Sequence, residues 1–196
     1  MRKLIIALCA LSLAACASAS KPGAMVADVT EATIIQETSK LRENVTVGEI
    51  TGGKKTNPLW TSEVASEDFA EALRQTFAAH AILATEEGDY KLNAELVKLK
   101  QPFAGFNMTV TSIVNYTLTD VNTGETIFEE MIETPYTAKV GDAFMAVKRL
   151  QLANEGSIKS NISTLIKKMI TAVDGRESVE TPAEGATGEP AEEISS

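Results

Sequence analysis

Residues 108–136 read MTVTSIVNYTLTDVNTGETIFEEMIETPY. Met108, Val110, Val114, Tyr116 and Leu118 fall on one side of an extended chain, and Thr109, Thr111, Asn115, Thr117 and Thr119 on the other, because successive side chains of a strand point to opposite faces. Asp120-Val121-Asn122-Thr123-Gly124 follows, a run of residues suited to a tight reversal, and Glu125 to Tyr136 resumes the extended pattern. Two strands joined this closely run antiparallel, so the centre of the chain is a hairpin with one apolar face and one threonine-rich face.

Upstream, Gly88-Asp89 turns the chain into another alternating run in which Tyr90, Leu92, Ala94 and Leu96 share a side, and Gln101-Pro102-Phe103-Ala104-Gly105 ends it. The hairpin thereby becomes a three-strand meander. Before it, Phe69, Leu73 and Phe77 recur at helical spacing behind Ser66-Glu67-Asp68, a serine suited to capping free backbone N–H groups and two acids suited to the positive helix end. Earlier still, Val45 to Ile50 fits a strand stopped by Gly52-Gly53, and a polar loop leads to Pro58 and the single tryptophan, Trp60. Residues 33–42 fit neither pattern. Downstream, Asp142 is expected to cap a long helix to about Val173, whose seam is Val147, Leu150, Asn154, Ile158, Ile162, Leu165, Met169 and Val173. Gly156 is expected to mark a bend in it. The order is β-α-β-β-β-α. The fold class is α+β, a two-layer sandwich with a mostly antiparallel sheet of about four strands and two helices on one face. The threonine-rich face, with Thr109, Thr111 and Thr117, stays open and is where a partner is expected.

The globular domain is placed at residues 28–173. From Asp174 the chain is rich in Glu, Gly, Pro and Ser without apolar periodicity; this tail, 174–196, holds seven acids against Arg176, so −6 of the overall −9 charge resides there. Such a segment cannot offset its ordering entropy by burial and is expected to be disordered. At the other end Arg2 and Lys3 precede an apolar run from Leu4 to Ala15, too short for the roughly 20 residues that cross a bilayer and suited to an export signal. The run ends in Leu13-Ala14-Ala15-Cys16, which resembles the lipobox of bacterial lipoproteins. That resemblance implies removal of residues 1–15, acylation of Cys16, and a lipidated tether over 16–27. Ala17 after the cysteine implies, by the same likeness, an outer-membrane address facing the periplasm, with the inner membrane as the alternative. The chain has two cysteines; Cys9 leaves with the signal and Cys16 is consumed by lipid, so thiol catalysis and cysteine-ligated metals are excluded.

Taken together, the lipobox, the tether, the helix-plus-meander order, and a late helix opening Arg149-Leu150-Gln151-Leu152-Ala153-Asn154-Glu155 with Asn161-Ile162 after it resemble small Gram-negative envelope lipoproteins. These are the LptE-type, the YajG-type and the auxiliary lipoproteins of ABC-type lipid transporters. The resemblance implies a non-enzymatic accessory in envelope assembly or lipid and lipopolysaccharide transport, docked on a membrane protein or transport complex. The alternative is a stand-alone lipid- or glycan-binding module, which needs an apolar cavity between helices and sheet.

Side chains suited to chemistry are few. His80 is the only histidine and falls beside the apolar stripe of its helix, where a core-edge role is expected over catalysis. Glu129, Glu130 and Glu133 could pair as acid–base groups or hold Ca²⁺, but a charged strand edge is the simpler account, with Glu130 facing opposite to the other two. Gly52-Gly53-Lys54 lacks the spacing of a phosphate loop. Lys148, Arg149, Lys159, Lys167 and Lys168 are expected on the outer face of the last helix, with contact to anionic lipid as the alternative. No cofactor or metal is expected, and the acidic balance speaks against nucleic acid. Trp60, Phe103 and Phe106 are loop aromatics, either packed beneath their own loops, the commoner fate, or exposed as partner contacts.

Overall fold

The computed structural model describes residues 18–57 and 62–177. Leu13, Ala14, Ala15 and Cys16, with the rest of the expected signal, Trp60, and residues 178–196 of the expected tail, lie outside the described residues. Three helices are present, α1 (Pro22–Met25, a single turn), α2 (Ser66–Ala79) and α3 (Ala146–Glu177), with four strands, β1 (Val45–Thr51), β2 (Tyr90–Lys100), β3 (Met108–Asp120) and β4 (Thr126–Ala138). The strands form one sheet in the order β1-β2-β3-β4. Leu118 opposes Phe128 and Val114 opposes Ile132 in the antiparallel β3–β4 pair, and β2 runs antiparallel to β3 with Leu92 opposite Leu118. β1 lies parallel to β2, because α2 carries the chain back across the sheet between them. The fold is the expected α+β sandwich.

The core follows the alternation. Leu92, Ala94 and Leu96 of β2, Val114, Tyr116 and Leu118 of β3, and Phe128 and Ile132 of β4 meet Phe69, Leu73 and Phe77 of α2 and Ile158, Ile162, Leu165 and Met169 of α3. Phe69 and Tyr116 pack edge to face, their ring centres 6.5 Å apart. Gly52 ends β1 at φ +78, where a Cβ would fall 2.2 Å from the carbonyl oxygen of Leu96. Only glycine lets β1 turn off the sheet so close to β2.

Four expectations change. The stretch from Ser18 to about Met25 was expected to be an unstructured tether, yet α1 forms within it and Met25 is fully buried in the core; an apolar side chain gains more by such burial than an extended tether offers. Ser66 does not cap α2; its hydroxyl accepts the Gly53 amide at 3.0 Å, because the backbone leaving β1 passes close by. Asp142 does not cap α3, which begins four residues later; its carboxylate accepts the Lys139 amide at 2.7 Å and closes the preceding turn. Gly156 interrupts nothing, and α3 runs unbroken through it and on to Glu177. A Cβ at Gly156 would sit 2.4 Å from Cδ1 of Tyr136, so the missing side chain makes room for that ring against the helix.

Candidate functional site

The first turns of α3 carry an unusual load of buried polar side chains: Arg149, Gln151, Asn154, Glu155, Ser157 and Asn161. Each is placed by the helix period and each holds a different part of the chain. Gln151 donates to the carbonyl of Ala19 at 2.8 Å, and the carboxylate of Glu155 accepts both the Lys21 amide and the Gln151 side chain at 2.9 Å. Asn154 donates to the carbonyl of Ser62 at 2.9 Å and accepts from Gln101 at 3.0 Å, while Gln101 also donates to Ser62. Ser62 in turn donates its hydroxyl to the carbonyl of Ser18 at 2.8 Å. The chain at residues 18–21 is therefore fastened to α3 and, through Ser62, to the end of β2. Deeper along the helix, Ser157 accepts the Ser112 amide at 2.7 Å and donates to the Thr134 carbonyl at 2.9 Å, locking α3 onto β3 and β4.

Arg149 is buried, against the expectation of an outward charge, because its guanidinium is the hub of two loops. Nη1 donates to the carbonyls of Ala143 at 2.8 Å and Phe144 at 2.6 Å, and Nη2 to that of Gly105 at 3.4 Å. The β2–β3 loop and the β4–α3 loop are thus held side by side, and three phenylalanines stand on them with nothing over them: Phe103 fully exposed, Phe106 at 86% and Phe144 at 93%. Met145 and Val140 are exposed beside them. Packing beneath the loop was the favoured expectation for Phe103 and Phe106. Both rings stand out in solvent instead. Phe144 and Met145 were missed, since the sequence around Asp142 reads as a helix start rather than a loop.

The other expected contacts lie elsewhere. Thr109 is exposed near the phenylalanine loops and its hydroxyl bonds that of Thr137 at 2.8 Å, Thr111 is half-buried on the same open face, and Thr117, eight residues further along β3, is roughly 26 Å away at strand rise. Thr117 lines a shallow hollow of about 430 Å³ with Glu49, Asn93, Glu95 and Asn115 on the sheet's open face. A longer groove of about 770 Å³ runs between α3 and the β4 edge, past Tyr136, Gly156, Lys159 and Lys167.

Charged and titratable groups elsewhere are committed to the fold. The Nδ1–H of His80 donates to the Thr76 carbonyl at 2.8 Å, since a carbonyl only accepts, and Nε2 is hydrogen-bonded with the Thr33 hydroxyl at 3.2 Å. The ring pins residues 30–33 to the end of α2. Glu130 pairs with Lys168, Glu133 with Lys100 at 2.7 Å, and Lys159 with Asp28 at 2.8 Å. Among the described residues no three His, Cys, Asp or Glu converge as metal ligands, and no helix is long and apolar enough to cross a membrane. Burial holds the Glu63 carboxyl above the usual range, with Lys54 pulling it partly back.

At the far end of the sheet the character reverses. Residues 86–89 and 120–125 contain five acids and no lysine or arginine. Asp89 receives Asn122 at 3.0 Å and Asn44 at 3.1 Å, and these bonds hold its carboxyl below the usual carboxylate range. By contrast residues 101–107 and 139–149, two loops and the first turn of α3, contain one acid, Asp142, against Lys139, Lys148 and the buried Arg149. The long axis of the sheet therefore runs from an acidic pole to an apolar, weakly basic one.

The fold has a solved counterpart. Protein XCC0632 from Xanthomonas campestris, of the DUF330 family, superposes with a TM-score of 0.55 at 13% identity over 79% of this chain and 98% of its own. What is shared is the fold. A candidate lipoprotein from Caulobacter crescentus CB15 aligns more loosely, with a TM-score of 0.44 and 12% identity over 66% of this chain and 92% of its own. No family model and no curated protein matches the sequence.

Proposed function

We propose that this chain is an envelope lipoprotein anchored by acyl chains on Cys16, facing the periplasm from the outer membrane, where it serves as a non-enzymatic accessory to a membrane protein or transport complex. The observation that carries this reading is the spacing between Leu13-Ala14-Ala15-Cys16 and the fastened chain: Ser18, two residues after the cysteine, is already bonded to Ser62. An anchor joined so closely to a rigid body presents that body to whatever else lies in the membrane. The accessory role is supported by the way the polar interior is used, since Arg149, Asn154 and His80 donate to backbone carbonyls and Glu155, at the wall of the α3 groove, accepts the Lys21 amide. The rival, a lone lipid or glycan binder, needs an apolar hollow between helices and sheet. Beneath α2 and α3 the core face of the sheet is packed, with Tyr116, Phe69 and Ile162 in one cluster, and the groove along α3 at the β4 edge is an open one that Asp28, Glu155, Lys159 and Lys167 line together with Leu152 and Ala138.

The test is affinity purification of the native protein, tagged after Ser196, from gently solubilised membranes, with Cys16→Ala beside it. The expected result is an acylated protein in the membrane fraction that brings down a defined membrane protein, and a Cys16→Ala form that is soluble and brings down less. A protein recovered alone would sink the accessory role; an unacylated, fully soluble wild type would sink the anchor.

A further inference from the structure

The loops held by Arg149 bring Phe103, Phe106 and Phe144 to one end of the molecule, and that end is also where the chain leaves for Cys16. The connection is traceable bond by bond: Ser18 to Ser62, Ser62 to Gln101, and Gln101 two residues from Phe103. On the other side of the same pole Gln151 holds Ala19, two residues from Arg149, whose guanidinium holds Phe144. Two residues of chain span at most roughly 7 Å, so an acylated Cys16 lies within that distance of Ser18, on the side of the molecule whose loops carry the three rings.

We propose that this pole is a second membrane contact, an aromatic footpad that seats in the phospholipid interface beside the Cys16 anchor and fixes the domain's orientation; the proposal rests on the lipid-anchor reading. Three separate observations agree on the occupant. The rings are almost wholly exposed, which is costly in water and favourable in an interface where aromatic side chains concentrate. The loops that carry them are poor in acids and flanked by Lys139 and Lys148, as contact with anionic headgroups requires. The five acids of residues 86–89 and 120–125 lie at the opposite end of the strands, where they are turned away from the same surface. A membrane anchored through one flexible point leaves a domain free to tumble. Three rings at the point of attachment remove that freedom, and they set the β2 N-terminal pole, the open sheet face and the β4 groove at fixed heights above the lipid.

The experiment uses the mature chain, residues 16–196 with Cys16→Ser so that no acyl chain contributes, mixed with vesicles of phosphatidylethanolamine and phosphatidylglycerol and sedimented. Each ring seated in the interface contributes on the order of a tenfold gain in partitioning. The expected result is measurable binding that falls by about a thousandfold when Phe103, Phe106 and Phe144 are all changed to serine, with an unchanged melting temperature because the rings support nothing. Equal binding by the two proteins overturns the footpad. So does sedimentation of the wild type as an oligomer that the triple variant abolishes, which assigns the rings to a second copy of the chain. The intact mass of the protein purified from native membranes reports acylation independently: an unacylated Cys16 refutes the anchor, whereas the vesicle result judges the rings on their own.

Discussion

Asn161 lies where α3 crosses β3 and β4, and both ends of its amide are used. Its oxygen accepts the Tyr116 hydroxyl at 2.8 Å, and its nitrogen donates to the Ile132 carbonyl at 2.9 Å. Asn161→Ala leaves a buried hydroxyl and a buried carbonyl without partners, and the expected cost is about 2–4 kcal/mol, since each orphaned group bears its full desolvation; urea unfolding against wild type measures it. Tyr116 itself gives a pH signature. Burial pushes its hydroxyl well above the usual tyrosine value, so the folded protein keeps a proton that the unfolded chain releases near pH ~10. The contribution is full below that pH and is lost as pH rises from there through the folded value. Wild type should therefore lose more stability than Tyr116→Phe between about pH 8 and about pH 11; parallel curves would show that the hydroxyl reaches water.

At the level of the element, α3 resolves a conflict between helix propensity and packing. Glycine in a helix interior costs about 1 kcal/mol relative to alanine, yet Gly156 stands at the one turn where the Tyr136 ring lies against the helix. The prediction takes the form of a cycle. Gly156→Ala alone is neutral or destabilising, because Tyr136 must swing out, whereas in a Tyr136→Ala background the same change stabilises by about 1 kcal/mol. An identical effect in both backgrounds would remove Tyr136 as the reason for the glycine. The helix start shows why Asp142 misleads: an acid followed by a long amphipathic run has the look of a cap, but the Arg149 guanidinium takes up the carbonyls of Ala143 and Phe144 and keeps residues 143–145 in a loop.

On the scale of the whole molecule, the N-terminal stretch belongs to the body of the protein. Met25 is in the core, the Ala27 amide donates to the Thr76 hydroxyl at 3.1 Å, and Glu155 holds Lys21. A chain begun at Asp28, the boundary that hydrophobic periodicity suggests, is expected to be less stable by about 3 kcal/mol or more, the cost of deleting a fully buried Met with its bonded neighbours. Thermal unfolding of the two lengths decides it, and equal melting temperatures would restore the boundary at 28. The same attachment gives the molecule its polarity. Because residues 18–21 are bolted to the first turns of α3, this stretch sits on the side of the phenylalanine loops, opposite the acidic pole.

The alternation over residues 90–96 and 108–136, the i, i+4, i+8 stripe of Phe69, Leu73 and Phe77, and the seam from Ile158 to Val173 were enough to establish the strands, the helices and the α+β sandwich, because burial on one face imposes its period on the chain locally. The parallel placement of β1, the burial of Met25 and Arg149, and the placing of Phe103, Phe106 and Phe144 on loops at one end of the sheet were not legible in the sequence. Each depends on residues far apart in sequence sharing hydrogen bonds across the fold, as when Arg149 reaches Gly105 or Gln151 reaches Ala19. Such contacts leave no periodic trace, since a single polar side chain with a distant partner looks in sequence like any solvated one, and only the tertiary structure decides which it is.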